Sequence, residues 1–235
     1  MSAGPAAASL SIGIIGAGIG GLTAANALIR RGFKNVRVYD QASHFVATAG
    51  AGFGFSPNGQ MCLTSIGIND YKAILHPFHN LRRIDRVGDI QLTSTLFKQL
   101  LDKYGFSIAG CLRADLVTVL ASPLDGNIHY SQKLTSLRQD SNKVYASFES
   151  GLCEEFDLVI GADGIRSFVS DALQIDSTPP LYSGANIFYG VLPNPDSIDF
   201  IHPSLRHMDN TVRFLLKTKT ENLVIYPKLV TLFFS

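Results

Sequence analysis

The chain has 235 residues, with 20 Lys and Arg against 19 Asp and Glu, and 46% of its residues are hydrophobic. That length allows one large domain or one and a half ordinary ones, and that apolar content excludes general disorder. A net charge of +1 without a long basic run argues against nucleic acid, and three widely spaced cysteines (Cys62, Cys111, Cys153) without a CxxC argue against metal and disulfide frameworks and for a reducing compartment.

Residues 1–9 read as a flexible lead. No charge occurs from Met1 to Ile29, yet the glycine density and the missing basic n-region argue against a signal peptide or membrane insertion. The apolar run Ile12 to Ile15 reads instead as a parallel strand buried on both faces. It leads into Gly16-Ala17-Gly18-Ile19-Gly20-Gly21. Leu22, Ala25, Leu28 and Ile29 then recur at helical spacing up to Arg30, Arg31 and Gly32. A second strand, Val36 to Tyr39, ends on Asp40.

Strand, glycine turn, helix, strand and acid together make a dinucleotide-binding βαβ unit. Gly16 permits the tight turn, Gly18 keeps bulk away from a pyrophosphate, and Gly21 lets the helix lie close on the strand. The helix N-terminus offers free N–H groups and partial positive charge to phosphates. Asp40 can accept hydrogen bonds from both hydroxyls of an adenosine ribose and would repel a 2′-phosphate. The motif alone does not separate FAD from NAD.

Four small residues, Ala49-Gly50-Ala51-Gly52, follow; they cannot build a core, but they let backbone approach a flat ligand. Pro57-Asn58 opens a helix expected over Gln60–Ile66, with Gly67 as its cap. Leu81 to Phe97 alternates loosely, with Val87-Gly88-Asp89 as a hairpin turn. A short helix ends at Gly105, Ser107–Leu112 is extended, and Arg113 opens a helix through Ala121. Read alone, Arg113 pairs with phosphate, with Asp115 or with solvent. Three strands are expected at Asn127–Leu137, Lys143–Phe148 and Glu155–Ile160. The last is a buried strand delivering Asp163-Gly164 to its carboxyl end, where open α/β sheets place ligands. A helix over Ile165–Leu173 follows. Beyond Pro180 the chain turns β-rich, with strands at Ala185–Leu192, Thr211–Lys217 and Leu223–Tyr226.

Taken in order, the Gly16–Asp40 unit, GAGFGFSPNG (Gly50–Gly59), LRADL (Leu112–Leu116), DLVIGADGIRS (Asp157–Ser167) and YSGANIFYGVLP (Tyr182–Pro193) resemble the FAD-dependent monooxygenases of the aromatic hydroxylase type. These are the salicylate hydroxylase-like proteins of the p-hydroxybenzoate hydroxylase superfamily. The resemblance implies an α/β fold: a FAD-binding βαβ domain of the Rossmann-like, glutathione-reductase type with a β-meander insertion, plus part of a β-rich substrate domain. Its expected boundaries are 10–75 and 105–178 for the FAD-binding domain, 76–104 for a substrate-domain excursion and 179–235 for an incomplete substrate domain.

On this resemblance Gly16, Gly18, Gly21 and Asp40 hold the ADP half of FAD, and Gly50, Ala51 and Gly52 lie beside the flavin and ribityl. Arg113 reaches the pyrophosphate or ribityl, and Asp163-Gly164 match the family's DG motif. The implied chemistry is reduction of FAD by NAD(P)H, formation of a flavin C4a-hydroperoxide with molecular oxygen, and hydroxylation of a small aromatic or related substrate in the cytoplasm. The alternatives are another FAD-dependent oxidoreductase (a reductase or an epoxidase) and a non-catalytic nucleotide-binding fragment.

Departures from the family pattern are equally specific. Asp40 stands where a glutamate is usual, Ser170 where an arginine often closes the DG motif, and Tyr189 where an arginine is common. The Gly-Asp-Ala-Ala-His fingerprint expected after the substrate sheet does not occur, and Lys228–Ser235 matches no family segment. The expectation is therefore a truncated gene product whose isoalloxazine wall is open, and turnover by it alone is not expected. No general base can be named: His202, Arg206, His207 and Tyr189 read as surface or core residues before pocket ones.

Overall fold

The computed structural model describes residues 4, 8–44, 52–84, 90–174, 180–182, 186–190, 211–216, 221–226 and 229–234. The first half comprises β1 (Ser11–Ile15), α1 (Ile19–Arg30), β2 (Asn35–Tyr39), β3 (Gly52–Phe55), α2 (Pro57–Ser65), a 3-10 turn (Asp70–Ile74), β4 (His76–Pro77), β5 (Asn80–Ile84), β6 (Ile90–Ser94), α3 (Leu96–Tyr104), β7 (Ala109–Leu112) and α4 (Arg113–Ala121). After a second 3-10 turn (Ser122–Leu124) come β8 (Ile128–His129), β9 (Leu134–Gln139), β10 (Val144–Phe148), β11 (Cys153–Phe156), β12 (Leu158–Gly161), α5 (Phe168–Leu173), β13 (Asn186–Gly190), β14 (Thr211–Leu216), β15 (Glu221–Tyr226) and β16 (Leu229–Phe234). The chain divides into two compact units, 1–48, 63–69 and 116–180 in the first, and 49–62, 70–115 and 181–235 in the second.

The first unit is built on a parallel sheet in the order β12-β1-β2-β8. Having neighbours on both edges and layers on both faces, β1 is buried from Ile12 to Ile15, as its unbroken apolar run requires. On one face α1 packs through Leu22 and Ala25, and Leu120 and Leu124 are buried as well. Asn26, 6% exposed, donates from Nδ2 to the carbonyls of Leu22 and Leu120, both at 2.8 Å, and so fastens α1 to the last turn of α4. On the other face lies the antiparallel meander β9-β10-β11. Its core gathers Ile15, Tyr39, Leu134, Ala146, Phe148, Phe156 and Val169.

Tyr39 stands at the centre of this layer, stacked on His129 and Phe148 at 4.9 and 4.8 Å and edge-on to Phe156. Burial pushes its phenol up to about 12, against the pull of Arg37 and with a push from Glu154. Arg37 lies over the Phe156 ring and pairs with Glu154 at 2.8 Å, tying β2 to β11.

Two strands expected as single runs are each split where the chain changes sheet. The Asn127–Leu137 run becomes β8 and β9, broken at Ser131 with φ +57. The Glu155–Ile160 run becomes β11 and β12, broken at Asp157. There the Asp157 N–H donates to the Ser11 carbonyl at 2.9 Å, and the Ser11 N–H donates to the Asp157 carboxylate at 2.8 Å. Lys143 lies 3.0 Å from that carboxylate; the Ser11 amide first, then Lys143, hold Asp157 below the usual carboxylate range. An uninterrupted apolar pattern conceals such a switch, because both sheets bury the same residue types. Nor is β12 buried: at the sheet edge, Leu158 is 45% exposed.

In the second unit β3, β7 and β4 form an antiparallel sheet in the order β3-β7-β4. A six-stranded sheet runs β13-β16-β15-β14-β5-β6, with β14 and β5 parallel and the rest antiparallel. The tail that matched no family segment thus supplies β16, an interior strand between β13 and β15. Tyr71 and Phe78 are buried in this unit, Tyr71 edge-on to Phe55 and Phe78 beside Phe97. The expected helix at Gln60–Ile66 starts earlier, at Pro57, and that at Ile165–Leu173 later, at Phe168, because Ser167 caps it by accepting the Ser170 N–H at 2.9 Å. The Val87-Gly88-Asp89 turn lies outside the described residues.

Candidate functional site

Parallel pairing brings the carboxyl ends of β12, β1 and β2 side by side. The Ala162 N–H donates to the Ile15 carbonyl, and the Gly16 N–H donates to the Tyr39 carbonyl, both at 2.7 Å. Gly16 follows β1, Asp40 follows β2 and Asp163-Gly164 follow β12 after one residue, so these predicted site residues meet at one edge of the first unit.

The glycine turn between them is sterically fixed. Gly16 has φ +105, and a Cβ there would stand 2.3 Å from the Ala162 carbonyl oxygen. A Cβ on Gly21 would stand 1.9 Å from the Gly16 carbonyl oxygen, so α1 approaches the turn as closely as backbone allows. Gly18 is the N-cap of α1, extended (φ −77, ψ −179), with no side-chain cap and no acid in the first turn. The amides opening this twelve-residue helix thus have no competing carboxylate within their own turn, which suits an anionic phosphate.

Both acids are engaged. Asp40 Oδ2 accepts the Ala17 N–H at 2.7 Å and Oδ1 the Ala42 N–H at 2.8 Å. Asp163 turns onto its own loop, accepting the Ser167 hydroxyl at 2.5 Å and the Val169 N–H at 3.2 Å. Ala17, Ser167 and Tyr130 are parts of this edge that motif reading passes over. Of these only Ser167 carries a signal, a hydroxyl residue before the apolar start of a helix. Burial, then the Asp40 charge, raise the Tyr130 phenol above its ordinary range. Tyr130 also borders an open hollow of about 390 Å³ along β8, with Thr118, Asp125 and Ile128.

Gly52 and Arg113 belong to the second unit. Gly52 pairs with Leu112 across β3 and β7, so the pairing sets it beside the residue preceding Arg113, the exposed first residue of α4. Gln60, 5% exposed, braces this sheet by donating to the carbonyls of Phe55 at 3.0 Å and Ser107 at 2.7 Å. A hollow of about 220 Å³ adjoins Gln60, Tyr71, Lys72 and Ser107. Gly50, Ala51, His202, Arg206 and His207 lie outside the described residues, as does the Tyr189 side chain. Among the described residues no group of His, Cys, Asp and Glu could hold a metal ion.

Residues 9–199 match the family model described as FAD binding domain. The 6-hydroxynicotinate 3-monooxygenase of Pseudomonas fluorescens is 35% identical over 188 residues, 79% of this chain and 48% of the relative. A 3-amino-4-hydroxybenzoate 2-monooxygenase of Streptomyces platensis is 32% identical over 185 residues, 77% of this chain and 46% of the relative. The chain thus spans about half the length of these curated relatives. Among solved structures, Klebsiella pneumoniae HpxO complexed with FAD and uric acid superposes with a TM-score of 0.78 at 24% identity, over 95% of this chain and 56% of that one. The 2,6-dihydroxypyridine-3-hydroxylase of Arthrobacter nicotinovorans superposes with a TM-score of 0.74 at 21% identity, over 96% of this chain and 55% of that one; these two likenesses bear on the fold. With a parallel βαβ core, a meander on its far face and a family match over residues 9–199, this chain belongs to the FAD binding domain family.

Proposed function

We propose that this chain is the FAD-binding portion, with part of the substrate domain, of a monooxygenase that uses NAD(P)H and molecular oxygen to hydroxylate a small aromatic or related organic substrate. The observation that carries the reading is the junction at the ends of β12, β1 and β2. There a glycine turn fixed by the Ala162 carbonyl, uncapped helix amides and the Asp40 carboxylate meet. The named activities of the Pseudomonas and Streptomyces relatives support an aromatic substrate. The wide spacing of its three cysteines, with no CxxC, accords with a reducing, cytoplasmic setting. Among the described residues no helix is long and apolar enough to cross a membrane.

In this reading the amides of Gly18 to Gly21 hold the pyrophosphate, Asp40 orients the adenosine ribose, and Gly50 to Gly52 with Arg113 serve the ribityl and flavin side. Asp163 shapes its loop, through Ser167 and the Val169 amide, so that Gly164 presents open backbone; a Cβ at Gly164 would meet nothing within 4 Å. The bound flavin supplies electron transfer and oxygen activation, while the protein contributes orientation and a dry environment.

Purified chain is expected to show oxidised-flavin absorbance, or to acquire it with added FAD. Saturation at 100 times Kd adds about 2.7 kcal/mol, or roughly 5–10 °C in Tm for a chain of this size. NADH or NADPH oxidation and oxygen uptake stimulated by hydroxylated aromatic acids would establish the chemistry. A colourless protein that gains no stability from FAD or ADP refutes the reading, and NAD(P)H-driven oxygen uptake that no aromatic acid stimulates points to another FAD-dependent oxidoreductase.

A further inference from the structure

The Asp40 carboxylate reaches beyond its own loop. Its Oδ2 accepts the Ala17 N–H at 2.7 Å, and Ala17 is the residue between Gly16, with φ +105, and Gly18, the N-cap of α1. Its Oδ1 accepts the Ala42 N–H at 2.8 Å, closing the turn that follows β2. The Asp40 backbone is held too: its N–H donates to the His129 carbonyl at 2.9 Å, and its carbonyl accepts the Gln132 N–H at 2.8 Å. Asp40 is therefore a fixed anchor, and through Ala17 it fixes the glycine turn to β2.

We propose that Asp40 acts as a positioning residue that locks the Ala17 amide, and with it the Gly16–Gly18 turn, before any nucleotide arrives, in addition to accepting sugar hydroxyls. This rests on the flavin-nucleotide reading above. The physical basis is preorganisation. Glycine-rich backbone loses more conformational freedom on ordering than any other, and a turn already held by a charge-assisted bond no longer pays that cost at binding. Each carboxylate oxygen has a second acceptor site, so holding Ala17 and Ala42 leaves capacity for the ribose. An aspartate, one methylene shorter than glutamate, keeps its carboxylate close to β2, within reach of the turn.

The two roles separate by ligand chemistry. The probes are ADP and 2′,3′-dideoxy-ADP, which keeps the pyrophosphate and lacks the hydroxyls, titrated calorimetrically into the full chain and its Asp40→Ala and Asp40→Asn variants. A residue acting only through the ribose would leave dideoxy-ADP affinity unchanged in both variants. Locking of the turn predicts that Asp40→Ala weakens dideoxy-ADP roughly tenfold or more, with Asp40→Asn in between because its amide oxygen can still accept one N–H. Amide hydrogen exchange without ligand supplies the second readout. The Ala17 amide is expected to exchange roughly tenfold faster in Asp40→Ala, while amides in β9 and β10 keep wild-type rates. Unchanged dideoxy-ADP affinity or unchanged Ala17 exchange overturns the proposal. Wild-type protein that binds neither probe refutes the flavin-nucleotide reading instead, and the exchange measurement then decides the role of Asp40 by itself.

Discussion

Gly20 and Gly21 are neighbours in the first turn of α1, and the structure assigns their alanine variants opposite signs. At Gly20 an added Cβ meets nothing within 4 Å. Gly20→Ala should therefore stabilise the chain by about 0.5–1 kcal/mol through helix propensity and a less flexible unfolded state. At Gly21 the same methyl would lie 1.9 Å from the Gly16 carbonyl oxygen and 3.3 Å from the Ala162 Cβ. The first obstacle is backbone and cannot rotate aside, so α1 or the turn must move by more than an ångström. Overpacking of this kind costs about 1–3 kcal/mol, occasionally more, and here it outweighs the propensity gain. Net destabilisation of about 1–3 kcal/mol is expected, a fall in Tm of roughly 3–10 °C for a chain of this size, with loss of the thermal shift given by ADP. Thermal unfolding of both variants with and without ADP reads both effects. A Gly21→Ala protein as stable as Gly20→Ala, and as responsive to ADP, would refute the close-approach argument.

Asn26→Ala removes two buried hydrogen bonds and leaves the Leu120 carbonyl without its α1 donor. A loss of about 2–3 kcal/mol in urea unfolding is expected with an unchanged m-value, and a loss below about 0.5 kcal/mol would contradict this role. Asp157 has a folded-state pKa depressed below 3.8, so its contribution is present above pH 3.8 and is lost as the pH falls through the folded value. Asp157→Asn should flatten the acid limb of the stability profile, and a limb as steep as wild type would argue against that role. Burial pushes the Cys111 thiol up to about 12, whereas Cys62 and Cys153 are exposed. A thiol reagent at pH 8 should therefore label Cys62 and Cys153 in native protein and Cys111 only after unfolding, as peptide mapping would report.

The βαβ unit was legible because its signals are local and redundant: an apolar run, glycines at fixed spacing, a helical period and a terminal acid. Helix α4 was found at its observed bounds, Arg113–Ala121, because Arg-Ala-Asp-Leu opens it directly after an extended run. The changes of sheet at Ser131 and Asp157 were not legible, since hydrophobicity says that a residue is buried and not in which layer. The partners of the two acids were hidden as well. Ala17 and Val169 offer backbone amides, which no side-chain motif encodes, and only folding brings them to Asp40 and Asp163. The tail strand β16 escaped because, although it closes a tight hairpin with β15 (Tyr226 opposite Leu229), its other neighbour, β13, lies far back in the chain and leaves no local signal.

The pairing of β1 with β12 also has a temporal side. Ser11 and Asp157 bond across 146 positions, whereas β1 meets β2 within a few tens of residues. On a ribosome adding about 5–20 residues per second, β1 and β2 emerge together and β12 follows only after roughly 6–24 s. Through that interval one border of β1 stands bare, a template for stray strands. Yield in a living cell will thus depend on whatever shields that border until Leu158 arrives.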